Sequence, residues 1–128
     1  MSSLEHEQPH IYQPLPILNR KEEIENLLSY GTMEELIVLP LAVGENFPDW
    51  KYAQDICLRL ADHSSDKVRA NACLGLAYIA RTKRRLEKHL VKPILLREIR
   101  CQTEFRWRIE DAINDINHYL KWHLAHKL

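Results

Sequence analysis

Reactive side chains are scattered along this sequence. His6, His10, His63, His89, His118, His123 and His126 include one pair at metal-ligand spacing, His123 and His126, one helical turn apart. No carboxylate lies near that pair, so we read both as solvated tail histidines and expect no metal and no cofactor. Glu110, Asp111 and Asp115 could serve as paired carboxylates in acid–base chemistry, but helical periodicity puts them on a polar face where acidic side chains are usually just solvated. Cys57, Cys73 and Cys101 are an odd number at wide spacing, each beside apolar residues, which predicts buried reduced thiols in place of a disulfide framework. The sequence has no GxGxxG, P-loop, HExxH or GxSxG motif, so no set of reacting groups can be assembled and we expect a non-enzyme.

The elements that must position these side chains are helical. The chain has 128 residues, 45% of them apolar, which suits one ordered domain. Pro9, Pro14 and Pro16 make residues 1–18 an extended or flexible arm, and residues 19–128 the single folded domain. Asn19 with Glu22 and Thr32 with Glu35 each read as an N-cap followed by a carboxylate at N3, with Gly31 and Gly44 as helix ends. Pro40 is expected to kink or shorten the second helix, and Pro48 to open a third that carries Trp50, Ala53, Ile56, Cys57 and Leu60. A fourth helix from about Asp66 is apolar on nearly all sides, the pattern of a helix buried between neighbours. A basic linker over 81–85 leads to a fifth with Leu86, Leu90, Pro93, Ile94 and Ile99, and a sixth follows Thr103 with a stripe of Phe105, Ile109, Ala112, Ile113, Ile116, Tyr119 and Leu120. No alternating β-branched run competes, so the fold class is all-α.

The helices pair and repeat. Shifting the fourth by 37 places Val68 on Phe105, Ala72 on Ile109, Leu76 on Ile113 and Ile79 on Ile116 with the apolar register intact; a looser shift of 32 places Leu36 on Val68. One helical hairpin cannot bury both its faces, and stacking three creates a continuous core. The expected architecture is three antiparallel helix pairs stacked in a short solenoid.

The segment Asp66-Lys67-Val68-Arg69-Ala70-Asn71-Ala72-Cys73-Leu74-Gly75-Leu76 resembles the second helix of a HEAT repeat, and Val91-Lys92-Pro93-Ile94-Leu95-Leu96 resembles a proline-kinked first helix. The resemblance implies a right-handed HEAT-like stack in which Asp66 and Arg69 match the family's Asp and Arg ladder, while Gln102 to Glu104 depart from it. In size and helical make-up the chain is also similar to small bacterial immunity proteins of contact-dependent growth inhibition (toxin–immunity) systems. That second resemblance implies a cytoplasmic, non-enzymatic protein that binds and neutralises a cognate toxin, commonly a nuclease, as a monomer in a heterodimeric complex.

Charge gives the surface two readings. The total is zero, yet residues 1–63 sum to −7 and residues 64–128 to +7. Ordinary surface charge explains this as well as a steering field does. In the first reading of function, a basic toxin domain meets an interface of Glu34, Glu35, Arg69, Trp107, Glu110, Asp111 and Asn114, with Trp107 as the desolvated anchor. Trp107 lies about 200° around its helix from Phe105 and so opposite the buried stripe, either as that anchor or packed beneath the arm or the fifth helix. Trp50 is expected in the core and Trp122 at the end of the stack. In the alternative reading, Arg81, Lys83, Arg84, Arg85, Lys88 and Lys92 form a nucleic-acid-binding or adaptor surface. No apolar run reaches the ~18 residues of a membrane span, and Glu5, Glu7 and the early prolines replace the pattern of a signal peptide, so neither membrane insertion nor export is expected.

Overall fold

The structure, a computed structural model, describes residues 14–124. Six helices follow one another: α1 (Lys21–Tyr30), α2 (Met33–Asn46), α3 (Trp50–Leu60), α4 (Asp66–Lys83), α5 (Lys88–Cys101) and α6 (Arg106–Leu120). There is no strand among the described residues, and none of these helices is long and apolar enough to cross a membrane. The protein is all-α.

Local chemistry explains most of the boundaries. Thr32 and Glu35 form a reciprocal capping box at the start of α2, with Thr32 N–H donating to Glu35 Oε1 at 2.9 Å and Glu35 N–H to Thr32 Oγ1 at 3.2 Å. Gly31 closes α1 as expected, its N–H reaching Leu27 O at 2.7 Å. Asn19 does not cap α1; the N-cap is Arg20, without a side-chain bond, and Glu22 and Glu23 complement the helix dipole instead. Pro48 does not open α3 either. Asp49 caps it, accepting from Lys51 N–H and Tyr52 N–H.

α4 is the centre of the molecule. It packs most extensively against α2 on one side and α6 on the other, with α3 and α5 also in contact. Helices α2, α4 and α6 thus form one row, and the first helices of the three hairpins lie against it, an arrangement compatible with stacked helix pairs. The expectation for an all-round apolar helix holds, since α4 buries ten of its 18 residues. Val68, Leu76, Ile79, Ile109, Ile113 and Ile116 are fully buried along the α4–α6 seam, each contributing roughly 1.5–3 kcal/mol.

Gly44 does not end α2, which runs two residues further to Asn46, and Pro40 does not stop it. The glycine lies inside the helix because α2 and α4 cross in backbone contact there. A Cβ on Gly44 would run into the Gly75 carbonyl, and a Cβ on Gly75 would sit 2.5 Å from Pro40 O and 2.7 Å from Cys57 Sγ. The Cys57 thiol donates to the same Pro40 carbonyl at 3.7 Å, so α3 joins the crossing.

Three further expectations change. In α5 the buried face is Val91, Leu95, Glu98 and Ile99, whereas Leu90 is exposed. Trp50 is half-buried at an edge and not in the core. Cys101 is exposed, while Cys57 and Cys73 are buried and burial pushes both thiols up. Within residues 1–18 the described part, from Pro14, has no helix, and Leu18 is buried against the core.

Two outcomes follow from this packing. Gly75→Ala should cost about 1–3 kcal/mol or more in urea unfolding, because the new methyl meets backbone that cannot move aside. In a thiol titration with Ellman's reagent, the folded protein should react at Cys101 alone, and all three cysteines should react after unfolding.

Candidate functional site

The polar groups divide into an internal network and three surface regions. The network centres on Glu98, which is 1% exposed although it lies on the apolar face of α5. Its carboxylate accepts from Arg97 Nε at 2.8 Å, Gln102 Nε2 at 3.0 Å and Arg69 Nε at 3.1 Å. Burial by itself would push the Glu98 pKa up, but these donors more than offset it and hold it below the ordinary value of 4.5. Arg69 also meets Asp66 at 2.5 Å and donates to His63 O and Ser64 O; Arg97 donates to Ala61 O. Gln102, where the sequence departs from the Asp and Arg ladder, donates to Asp66 O at 2.8 Å. Arg69 is therefore engaged inside the molecule, holding α3, α4 and α5 together. Sequence reasoning missed Glu98, though Val91, Leu95, Glu98 and Gln102 share one helical stripe and a carboxylate in that stripe signals a buried pair.

The first surface region is the acidic end of the row. Glu34 and Glu35 sit in the first turn of α2, where Glu35 is occupied by the capping box. Glu34 lines a groove of about 730 Å³ between α1 and α2, with Glu23 and the apolar Leu18, Leu27 and Val38. Within α1, Glu25 accepts from both terminal guanidinium nitrogens of Arg59 and from the Tyr52 hydroxyl, and these bonds pull its pKa down to about 2.

The second region is the outward stripe of α6. Trp107 is 54% exposed, and residues 1–13 of the arm expected to cover it lie outside the described residues. Asp111 and Asn114 are exposed beside it, and Glu110 lies 3.9 Å from Arg106. Arg108 was not anticipated. Its guanidinium lies about 5 Å from the Phe105 and Trp107 ring centres, at 5.0 and 5.1 Å, and donates to Asn71 Oδ1. It makes no ion pair among the described residues, and burial pushes its pKa down. Glu34 and Glu35 on α2 are separated from Trp107, Glu110, Asp111 and Asn114 on α6 by α4, which packs between the two helices.

The third region holds the basic residues. The expected linker over 81–85 is in part helix, since α4 continues to Lys83. Arg81 is ion-paired with Glu45 and lies over Tyr78. Arg84 lies over Tyr119, Arg85 over Trp50 and Lys88 over Trp122, at 4.9, 5.9 and 5.7 Å from the ring centres. Lys83 is half-buried and Lys92 exposed. Among the described residues the −7 and +7 halves are bridged by three ion pairs, Glu45 with Arg81, Asp62 with Arg97 and, in the reverse sense, Lys51 with Glu87. No group of three or more His, Cys, Asp or Glu side chains able to hold a metal occurs among the described residues; His123 is described and His126 lies outside them.

This geometry defines a helical scaffold with separate acidic, aromatic and basic surfaces. The fold is similar to that of a chain in a crystal structure of a CDI complex from Cupriavidus taiwanensis: TM-score 0.72, 21% identity, covering 84% of this chain and 96% of that one. No family model matches the sequence, and no curated protein matches it.

The buried carboxylate sets a pH dependence. A group whose pKa is lowered on folding contributes stability above its unfolded pKa, and that contribution is lost as pH falls through the folded value. Glu98→Gln should cost about 3–5 kcal/mol at neutral pH, since it strands Arg69 and Arg97, and the variant should lose less stability than the native protein on going from pH 5 to pH 3. Urea melts across that range measure both effects.

Proposed function

We propose that this protein is an immunity protein, built as a short HEAT-like right-handed solenoid, that binds and neutralises a cognate toxin domain in the cytoplasm. The observation that carries the reading is the shared fold with a chain of a CDI complex, which extends over nearly all of that chain. The mechanism is stoichiometric blockade by a rigid surface. A toxin that acts on nucleic acid carries a cationic cleft, and acidic groups presented on rigid helices steer toward it and cover it.

The α6 stripe supports the choice of surface. Trp, Tyr and Arg are the side chains most enriched at energetic centres of interfaces, Trp for its large rigid contact area and Arg for its planar set of N–H donors. Trp107 is exposed, Arg108 lies against it without an anionic partner among the described residues, and Asp111 and Glu110 supply acid at the rim. Glu34, with Glu23, supplies a separate acidic contact at the far end of the row. The complex is a heterodimer of one immunity protein and one toxin domain.

The test uses the cognate toxin domain, sought among the genes neighbouring this one. Trp107→Ala should weaken binding by roughly 30-fold or more, the loss of a hot-spot side chain, while leaving thermal unfolding unchanged because the indole is largely exposed. The double variant Trp107→Ala with Glu110→Ala should release toxin activity. Unchanged affinity in titration calorimetry removes this surface from the account.

A further inference from the structure

The edge of the stack where α4 and α6 end and α5 begins has a composition that toxin capture through the α6 stripe does not use. Residues 83–92 carry five cations, Lys83, Arg84, Arg85, Lys88 and Lys92, and none has a carboxylate within ion-pair distance among the described residues. Glu87, the one acid in that segment, is turned away: Gln54 Nε2 donates to it at 2.7 Å and Lys51 stands 3.8 Å from it. The cations therefore stand together uncompensated.

Aromatic rings from distant parts of the chain meet them. Trp50 comes from the first residue of α3, and Tyr119 and Trp122 from the end of α6. Trp50 and Trp122 line one open depression of about 380 Å³ together with Arg84, Arg85, Leu86 and Leu120. A guanidinium lying over one ring keeps its other face open, and Arg84 spends only its Nε, on Arg81 O at 3.3 Å, so the terminal N–H groups of Arg84 and those of Arg85 can bind a phosphate, or the free faces stack a base, without leaving their rings.

The backbone carries a second sign. The C-caps of α4 and α6 are Arg84 and Lys121, both left-handed at φ 58°, where glycine is the residue without a steric cost. A helix C-terminus attracts cations, which accounts for charge in the last turn. It does not account for placing the cation at the strained cap itself, on two neighbouring helices at one edge.

We propose that this edge is a binding site for single-stranded nucleic acid, with phosphates held by Arg85, Lys88, Lys92 and Lys121 and bases stacked at Trp50 and Trp122. Alternation of cations with aromatic faces is the chemistry such strands require: the charges follow the backbone and the rings accept any base. An acidic protein segment would use the charges and leave the indoles idle.

The test is fluorescence anisotropy of the full-length chain with a labelled single-stranded 12-mer of RNA, the same sequence in DNA, and polyglutamate of equal charge. Both strands should bind, at least ten times more tightly than polyglutamate. With three or four phosphate contacts, affinity should fall roughly 20–50-fold between about 50 and about 200 mM salt. The pair Arg85→Glu and Lys88→Glu, both exposed and in no hydrogen bond that caps a helix, should lose ten-fold or more. Arg100→Glu, exposed at the opposite end of α5, should stay within two-fold. In a Trp107→Phe background, where Trp50 and Trp122 are the remaining indoles, bound strand should quench the emission. No binding at the lower salt, equal binding of polyglutamate, an equal loss in Arg100→Glu, or unquenched indoles would each overturn the site. No toxin enters this measurement, so its failure leaves the immunity reading standing.

Discussion

The backbone crossing of α2 and α4 at Gly44 and Gly75 is the constraint on which the rest of the structure depends. With no Cβ at either crossing residue, the Pro40 carbonyl lies against Gly75, and Cys57 of α3 is drawn into the same contact. Interiors are close-packed, so a methyl group added at such a crossing pushes whole helices apart, where a flexible surface would merely adjust. Because α4 is also the partner of α6, the position of α4 against α2 sets the position of the last hairpin too. The aromatic stripe of α6 and the cationic edge are therefore held by a contact far from both.

The second layer is fixed differently. Where α2, α4 and α6 meet through apolar packing, α3 and α5 are tied to α4 through Glu98, Arg69, Arg97 and Gln102. A buried charge network is weak evidence for stability, since desolvation offsets much of the attraction. It does demand one arrangement: Glu98 is satisfied only when α4 and α5 both present their arginines.

With both layers fixed, the surfaces take separate places. The acidic groove lies between α1 and α2, Trp107 and Asp111 face outward from α6, and the uncompensated cations gather where α4 and α6 end. A rigid helical stack suits this division because each surface is carried on helices whose inner faces are buried. A partner that docks on one surface does not need to disturb the others.

Helix content, the Thr32 and Glu35 capping box and the central burial of α4 were all legible in the sequence, because capping and periodicity are local and act within a few residues. The repeat shift of 37 was legible too, and the Asn71–Arg108 hydrogen bond joins residues at that same spacing. The exposure of Trp107 followed from its angle around α6, and the net charges of the two halves from addition. Tertiary structure decided the rest. Gly44 looked like a helix end because glycine serves both ends and close crossings, and only the position of Gly75 distinguishes them. Arg69 became internal once α5 placed Glu98 against it, and the opposed charges were joined by Glu45 with Arg81 and Asp62 with Arg97. The meeting of Arg84, Arg85 and Lys88 with Tyr119, Trp50 and Trp122 unites residues from three hairpin ends. No local pattern encodes such contacts, because which side chains share an edge depends on how the helices stack, and the stacking is set by the close crossing at the centre.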